Sequence, residues 1–186
     1  MSGFTKKIGI PLAVLCFAGA TALASNVHLK PPNSKPSFTD NGLTLTAAGA
    51  LAGLGAGDVL VNLAATANAK AICTNPSGNS QPPGQNPAPV SVSGSQAIPA
   101  SEVKNGNVTF TVTTNPPPNN PIAGAPGCPN SNWTETITDL SFTSATITVQ
   151  QGAPPATELT ISCSFAQPTK DGAVHAQEVT CSSQSF

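Results

Sequence analysis

Charge is what this chain has least of. Asp, Glu, Lys and Arg together make up 8% of its residues, and arginine is missing altogether. With scattered lysines and no arginine there is no basic stripe to follow a phosphate backbone, which excludes nucleic acid as a partner. Nor is there a polybasic patch to hold an anionic lipid surface. Tyrosine is also missing, and Trp133 is the single tryptophan, so the exposed aromatic platforms of a carbohydrate-binding module are not available. Trp133 reads as a packing residue. No C-x-x-C pair or clustered Cys/His spacing points to zinc, and no D-x-D-x-D-G loop points to calcium. There is no G-x-S-x-G turn to hold a serine nucleophile. No cofactor and no metal are expected.

What is present begins with an export signal. Lys6 and Lys7 precede an apolar run from Ile8 to Ala20, and Ala22-Leu23-Ala24 precedes Ser25. That order is the n-region, h-region and small-x-small cleavage site of a signal peptide over residues 1–24. The run is shorter than the ~20 residues of a membrane span, and no second apolar segment follows it. Cleavage leaves Lys30, Lys35, Lys70, Lys104 and Lys170 against eight acids, a mildly negative protein that lies outside the cytoplasm: secreted, periplasmic or at the cell surface. It also removes Cys16, which Leu15 disqualifies as a lipoprotein cysteine. Cys73, Cys128, Cys163 and Cys181 remain, an even number in an exported chain and hence two expected disulfides.

Along the mature chain, residues 25–40 read as an extended arm with three prolines, followed by the Asp40-Asn41-Gly42 turn. From there the period is two. Val59, Val61, Leu63, Ala65, Ala67, Ala69, Ala71 and Cys73 form one unbroken alternating set, the pattern of a long half-buried strand or of two strands joined by a bend. Val90/Val92, Val108/Phe110/Val112, Ile147/Val149, Leu159/Ile161/Cys163/Phe165 and Val179/Cys181 repeat the pattern. Between Phe142 and Ala145 the apolar phase slips by one residue, which requires a bulge or turn. The Ala48–Gly57 run has four glycines in ten residues, too many for a helix at about 1 kcal/mol each, and is expected to be a glycine-rich turn. Ile98–Val103 has room for one helical turn, and Asn105-Gly106 for a tight hairpin. The expected fold is all-β: an antiparallel β-sandwich over 41–186, immunoglobulin-like or a related Greek key, with about eight or nine strands.

Two Pro/Asn/Gly-rich segments, 74–89 and 113–132, interrupt the strands. If the strands near 90–95 and 107–113 run antiparallel, the two segments lie at one end of the sandwich. Cys73 then neighbours Cys128, leaving Cys163 for Cys181; the other two pairings stay open. Each closed loop is worth roughly 3 kcal/mol or somewhat more on the entropic model.

Residues able to carry chemistry are few. Glu135 and Asp139 lie four apart on an expected strand, on one face and about 13 Å apart at ~3.3 Å per residue. That exceeds the ~5–9.5 Å used by paired glycosidase carboxylates, and both read as acids on a solvated face. With Asp171 and His175 they form the site of an alternative reading, a secreted hydrolase. Asn107 and Asn132 head N-x-T sequons that matter only in a eukaryotic secretory pathway. The repeated T-x-T pattern reads as solvent-facing strand.

The runs GLTLTAAGALAGLGAGDVLVNLAATANAKAICTNPSGN, PGQNPAPVSVSGSQAIPASEVKNGNVTFTVTT and CPNSNWTETITDLSFTSATITV resemble a family of small exported bacterial proteins without an assigned activity. The resemblance implies export and a two-disulfide β-domain, and carries no functional residues with it. The leading expectation is a secreted, non-enzymatic binding or structural module. Its partner would be a protein or surface polymer, met through the Pro/Asn-rich loops near Cys73 and Cys128. Mass spectrometry of the non-reduced mature protein is expected to find one hydrogen fewer per cysteine than after reduction; free thiols would reject the disulfides and reopen metal binding.

Overall fold

The computed structural model describes residues 26–30 and 35–186; the signal peptide read over 1–24, with Cys16, lies outside the described residues. The unbroken run from Val59 to Cys73 is a single strand, β4 (Val59–Thr74), and each of its eight alternating residues is buried. It pairs along its whole length with β8 (Thr134–Gln151). Around this ladder one sheet is completed by β6 (Val90–Ile98) and the two-residue β5 (Ser80–Gln81) on the far side of β4, then by β9 (Ala156–Phe165) and β11 (Val179–Ser185) beyond β8. The second sheet is built on β3 (Leu45–Ala52), flanked by β7 (Val108–Thr113) on one side. On its other side lie β1 (His28–Leu29) and β2 (Ser37–Asp40), with β10 (Gly172–Ala173) at the edge. All pairings are antiparallel and the sheets stack as a sandwich around one core.

The eleven strands exceed the eight or nine expected because three have only two residues. The stretch read as an N-terminal arm itself contains two strands, pairing with β3 through His28–Leu29 and Ser37–Asp40. The first half of the glycine-rich run is likewise strand. Gly49 sits in β3 opposite Phe110, and a Cβ there would stand 2.9 Å from the phenyl ring. The aromatic fills the space the glycine leaves, so the run that composition assigns to a turn turns only at Gly53–Asp58. Gln151 fastens that turn: it accepts the Gly55 N–H and donates to the carbonyls of Gly55 and Gly57. The single turn expected near 98–103 is a 3₁₀ turn at Ala100–Glu102, and Asn105 and Gly106 both take positive φ, as a tight hairpin requires.

In β8 the apolar phase slips twice. Thr143 is bulged opposite the Thr66/Ala67 junction, the slip legible in the sequence, and Thr138 is bulged opposite Lys70/Ala71. Each bulged threonine points its hydroxyl at a β4 carbonyl beside the break, Thr143 at Thr66 and Thr138 at Lys70. The bulges keep Ile137, Leu140, Phe142 and Ala145 all facing the core. Small side chains of β4 meet large ones of β8 in register: Ala67 opposite Phe142, Ala69 opposite Leu140, Ala71 opposite Ile137. Between the sheets, Phe38 of β2 meets Phe165 of β9 edge to face, with ring centroids 5.2 Å apart.

The disulfides are Cys73–Cys128 and Cys163–Cys181. The second joins directly opposed residues of β9 and β11. The first works as the loop geometry suggested. β6 and β7 belong to opposite sheets, yet the chain reverses between them, so the loop entering β6 and the loop leaving β7 meet at one end.

Beyond the core, the outer face of the larger sheet is nearly free of charge. Ser95, Asn62, Thr148, Thr160 and Gln184 form one cross-strand row, and Ser91, Thr66, Ser144, Ser164 and Thr180 another. The inner face contains one place where the two sheets touch through backbone. A Cβ at Gly94 of β6 would lie 2.0 Å from the carbonyl oxygen of Thr113, at the end of β7. Gly94→Ala must therefore push the sheets apart, an overpacking cost of about 3 kcal/mol or more. Ser95→Ala, next door on the outer face, should stay within about 0.5 kcal/mol of wild type. Equal urea midpoints for the two variants would refute this contact.

Candidate functional site: a proline-walled cleft

The β4–β8 ladder is longer than the strands of the facing sheet, where β3 has eight residues and β7 six. At one end its inner face runs on with no strand above it. The long loop between β7 and β8 covers the overhang. Its Cys128 reaches down to Cys73, the last inward residue of β4, and its Ala125 is buried.

The same loop supplies a substitute strand for the free edge of β8. Ile122 donates its N–H to the Glu135 carbonyl. The Asn120 side chain then imitates a peptide group, donating to the Ile137 carbonyl and accepting the Ile137 N–H, both at 3.0 Å. Further along, the Gly42 carbonyl accepts from Leu140, and Thr169 exchanges hydrogen bonds with both backbone groups of Phe142. Backbone that β9 does not reach is thereby satisfied, as buried N–H and C=O groups require.

The cover is incomplete. A cleft of about 490 Å³ remains between the segment Gln85–Ser91 and the loop residues Pro117, Pro118, Ile122, Pro126 and Gly127. Its floor is Glu135 and Ile137 of β8, and its volume lies in the range of small-ligand pockets. Prolines in both walls fix φ and hold the walls with little entropy left to lose. The cleft lies among the loops near Cys73 and Cys128.

Glu135 is the one ionisable group on this floor. It is 1% exposed, which corrects its reading as an acid on a solvated face. The bulge at Thr138 is the reason. It breaks the four-residue spacing, so Glu135 keeps phase with Ile137 and points inward, while Asp139 falls opposite the exposed Lys70. The Glu135 carboxylate accepts one hydrogen bond, from the Gly127 N–H to Oε2 at 3.1 Å. Gly127 must be glycine for this: a Cβ there would come within 2.7 Å of Oε1 and 2.9 Å of Pro83.

The other residues of the hydrolase reading lie elsewhere. Asp139 and Asp171 point their carboxylates toward Gly42, and His175 is an exposed residue preceding a short 3₁₀ turn. Of the four, Glu135 alone lines the cleft. Trp133 is half-buried at the start of β8, in keeping with a packing role. Among the described residues no group of three or more His, Cys, Asp or Glu is placed to hold a metal ion. No helix among them is long and apolar enough to cross a membrane. The Asn107 side chain is engaged locally, donating to the carbonyls of Lys104 and Asn105, while Asn132 is exposed.

Sequence reading finds the loops but not the walls. Ile122 and Pro117 stand among prolines and asparagines with no periodicity to mark them, and Asn120 acts through a side chain imitating backbone. The inward turn of Glu135 was legible in its two-residue spacing from Ile137, once the second slip is recognised.

A second buried acid has a structural role. Asp40, 2% exposed, takes the Gly42 N–H on Oδ1 and the Thr169 hydroxyl on Oδ2, joining the β2–β3 turn to the loop after β9. Burial raises its pKa above the ordinary 3.8; the bonds from Thr169 and Gly42 oppose the shift, and the charges of Asp171 and Asp139 add to it.

Comparison with family models, with curated proteins and with solved structures finds no match to this chain. Fold and cleft together define a disulfide-linked β-sandwich with a ligand-sized recess at one end.

Because the folded state favours the protonated form of Asp40, this residue contributes stability that is complete below its ordinary pKa of 3.8. That contribution declines as pH rises through the raised value. Asp40→Asn removes the titration. The stability difference between variant and wild type, followed by chemical denaturation from pH 4 to 7, should move in the variant's favour as pH rises; a constant difference would contradict the assignment.

Proposed function

We propose that this protein is an exported, non-enzymatic binding module that holds its ligand in the cleft between the Gln85–Ser91 segment and the loop joining β7 to β8. One observation carries the reading. A stapled, proline-walled recess lies over the overhanging end of the sandwich. An unrecessed loop would satisfy the β8 edge equally well, so the recess is surplus to the fold.

Export is supported by the signal-like N-terminus and by two disulfides, which persist in oxidising compartments. The resemblance to small exported bacterial proteins agrees with that placement. The immunoglobulin-like or related Greek-key description is supported by the chain's repeated passage between the two sheets. The partner is expected to be a protein or surface polymer that offers a projecting group small enough for the recess.

Amide chemical shifts followed by NMR during titration with a library of small fragments provide the test. Shifts are expected to concentrate on Val90, Ile122, Gly127 and Ile137. Ala88→Trp, placing an indole on an exposed residue that lines the cleft, should abolish them while leaving the thermal midpoint within a few degrees of wild type. Shifts scattered over the surface, or none from any fragment, would sink the reading.

A further inference from the structure

The floor of the cleft contains a carboxyl group that the described residues match with one donor. Glu135 is 1% exposed, and among the described residues its carboxylate has a single hydrogen bond, from Gly127 to Oε2. Oε1 has none, and no lysine or histidine among the described residues bonds to either oxygen. An ionised carboxylate offers about four acceptor sites. Removed from water, it is costly to leave unpaired. The other buried acid shows how this fold treats a carboxylate that serves structure alone: Asp40 has a donor on each oxygen. Glu135 differs in having a vacant oxygen and in lining a cleft.

We infer that the cleft takes an ammonium group on an aliphatic stem, with an ammonium N–H donating to Oε1 of Glu135. This assignment rests on the cleft being the binding site. Three features select it. A buried carboxyl group with one oxygen unbonded is matched best by a cationic donor, since hydrogen bonds between charged partners are the stronger ones. Oε2 already accepts from Gly127, so the two-pronged fork of a guanidinium would have to share that oxygen, whereas an ammonium needs only Oε1. Around the acid, Val90, Pro117, Ile122 and Ile137 offer apolar surface to methylene groups rather than further polar partners. Such a group is found at the end of a lysine side chain and in free alkylamines.

The test compares n-butylammonium, n-butylguanidinium, butan-1-ol and Nα-acetyl-lysine N-methylamide at pH 7, reading the Gly127 and Ile137 amides by NMR. Butylammonium should bind about tenfold or more tightly than butanol, since a hydrogen bond to a charged partner is worth at least that ratio. Butylguanidinium should gain nothing over butylammonium. Glu135→Gln, which keeps the acceptor for Gly127, should erase the preference for the cation. The acetyl-lysine probe separates the sources: affinity equal to butylammonium assigns the cleft to lysines of a polypeptide, and much weaker affinity assigns it to free amines. Equal binding of butanol and butylammonium to the wild-type protein would overturn the inference and leave the cleft as a binding site. Failure of every probe to move these amides would overturn both.

Discussion

Everything in this molecule is arranged around one antiparallel ladder, β4 against β8, that is longer than the sheet facing it. Its inner face is continuous from Val59 to Cys73. A strand with eight inward positions in phase must bury all of them or expose a greasy strip. The facing strands cover one end and cannot cover the other. The remainder falls to a loop without regular structure, and that loop needs a covalent tie because it brings few apolar side chains of its own. The Cys73–Cys128 bond, the Asn120 side chain standing in for a peptide group, and the cleft all follow from this mismatch in length.

The same mismatch accounts for the chemistry. Where the two sheets face each other, the inner surface is apolar and filled. Where the loop faces β8, the filling is incomplete and one inward position bears Glu135 instead of an aliphatic residue. The acid sits on the rigid strand and the walls on prolines, so donor, acceptor and wall positions are set before anything enters the cleft. Asp40, beside the same free edge of β8 but at Gly42 and Thr169, is tied on both oxygens and joins two turns.

Architecture was legible because the inward positions of β4 keep a period of two throughout, and because an expected export signal leaves four cysteines, an even number that reads as two disulfides. The first bulge in β8 was readable from the interval between Phe142 and Ala145. The second was masked, since Thr138 and Asp139 are both polar and a slip between polar residues leaves no mark in an apolar pattern. That hidden slip also made Glu135 and Asp139 look like neighbours on one face. Gly49 misled for a different reason: its strand conformation depends on Phe110, sixty-one positions along, and no local rule contains that information. The cleft walls were invisible on the same grounds, being assembled from segments that meet only through tertiary contact.

The patchwork along the edge of β8 has a consequence for how the chain reaches its native state. The groups that close that edge come from Gly42, from Asn120 and Ile122, and from Thr169, three stretches spread across most of the sequence. Nothing local can substitute for them. Until the last has arrived, the first half of β8 presents bare backbone, an adhesive margin to which a strand of another molecule can attach. Folding of this kind, dominated by distant contacts, is slow. The Cys73–Cys128 bond holds one of these closing stretches against the end of β4, so a chain in which it has formed has one fewer distant segment left to bring to that edge.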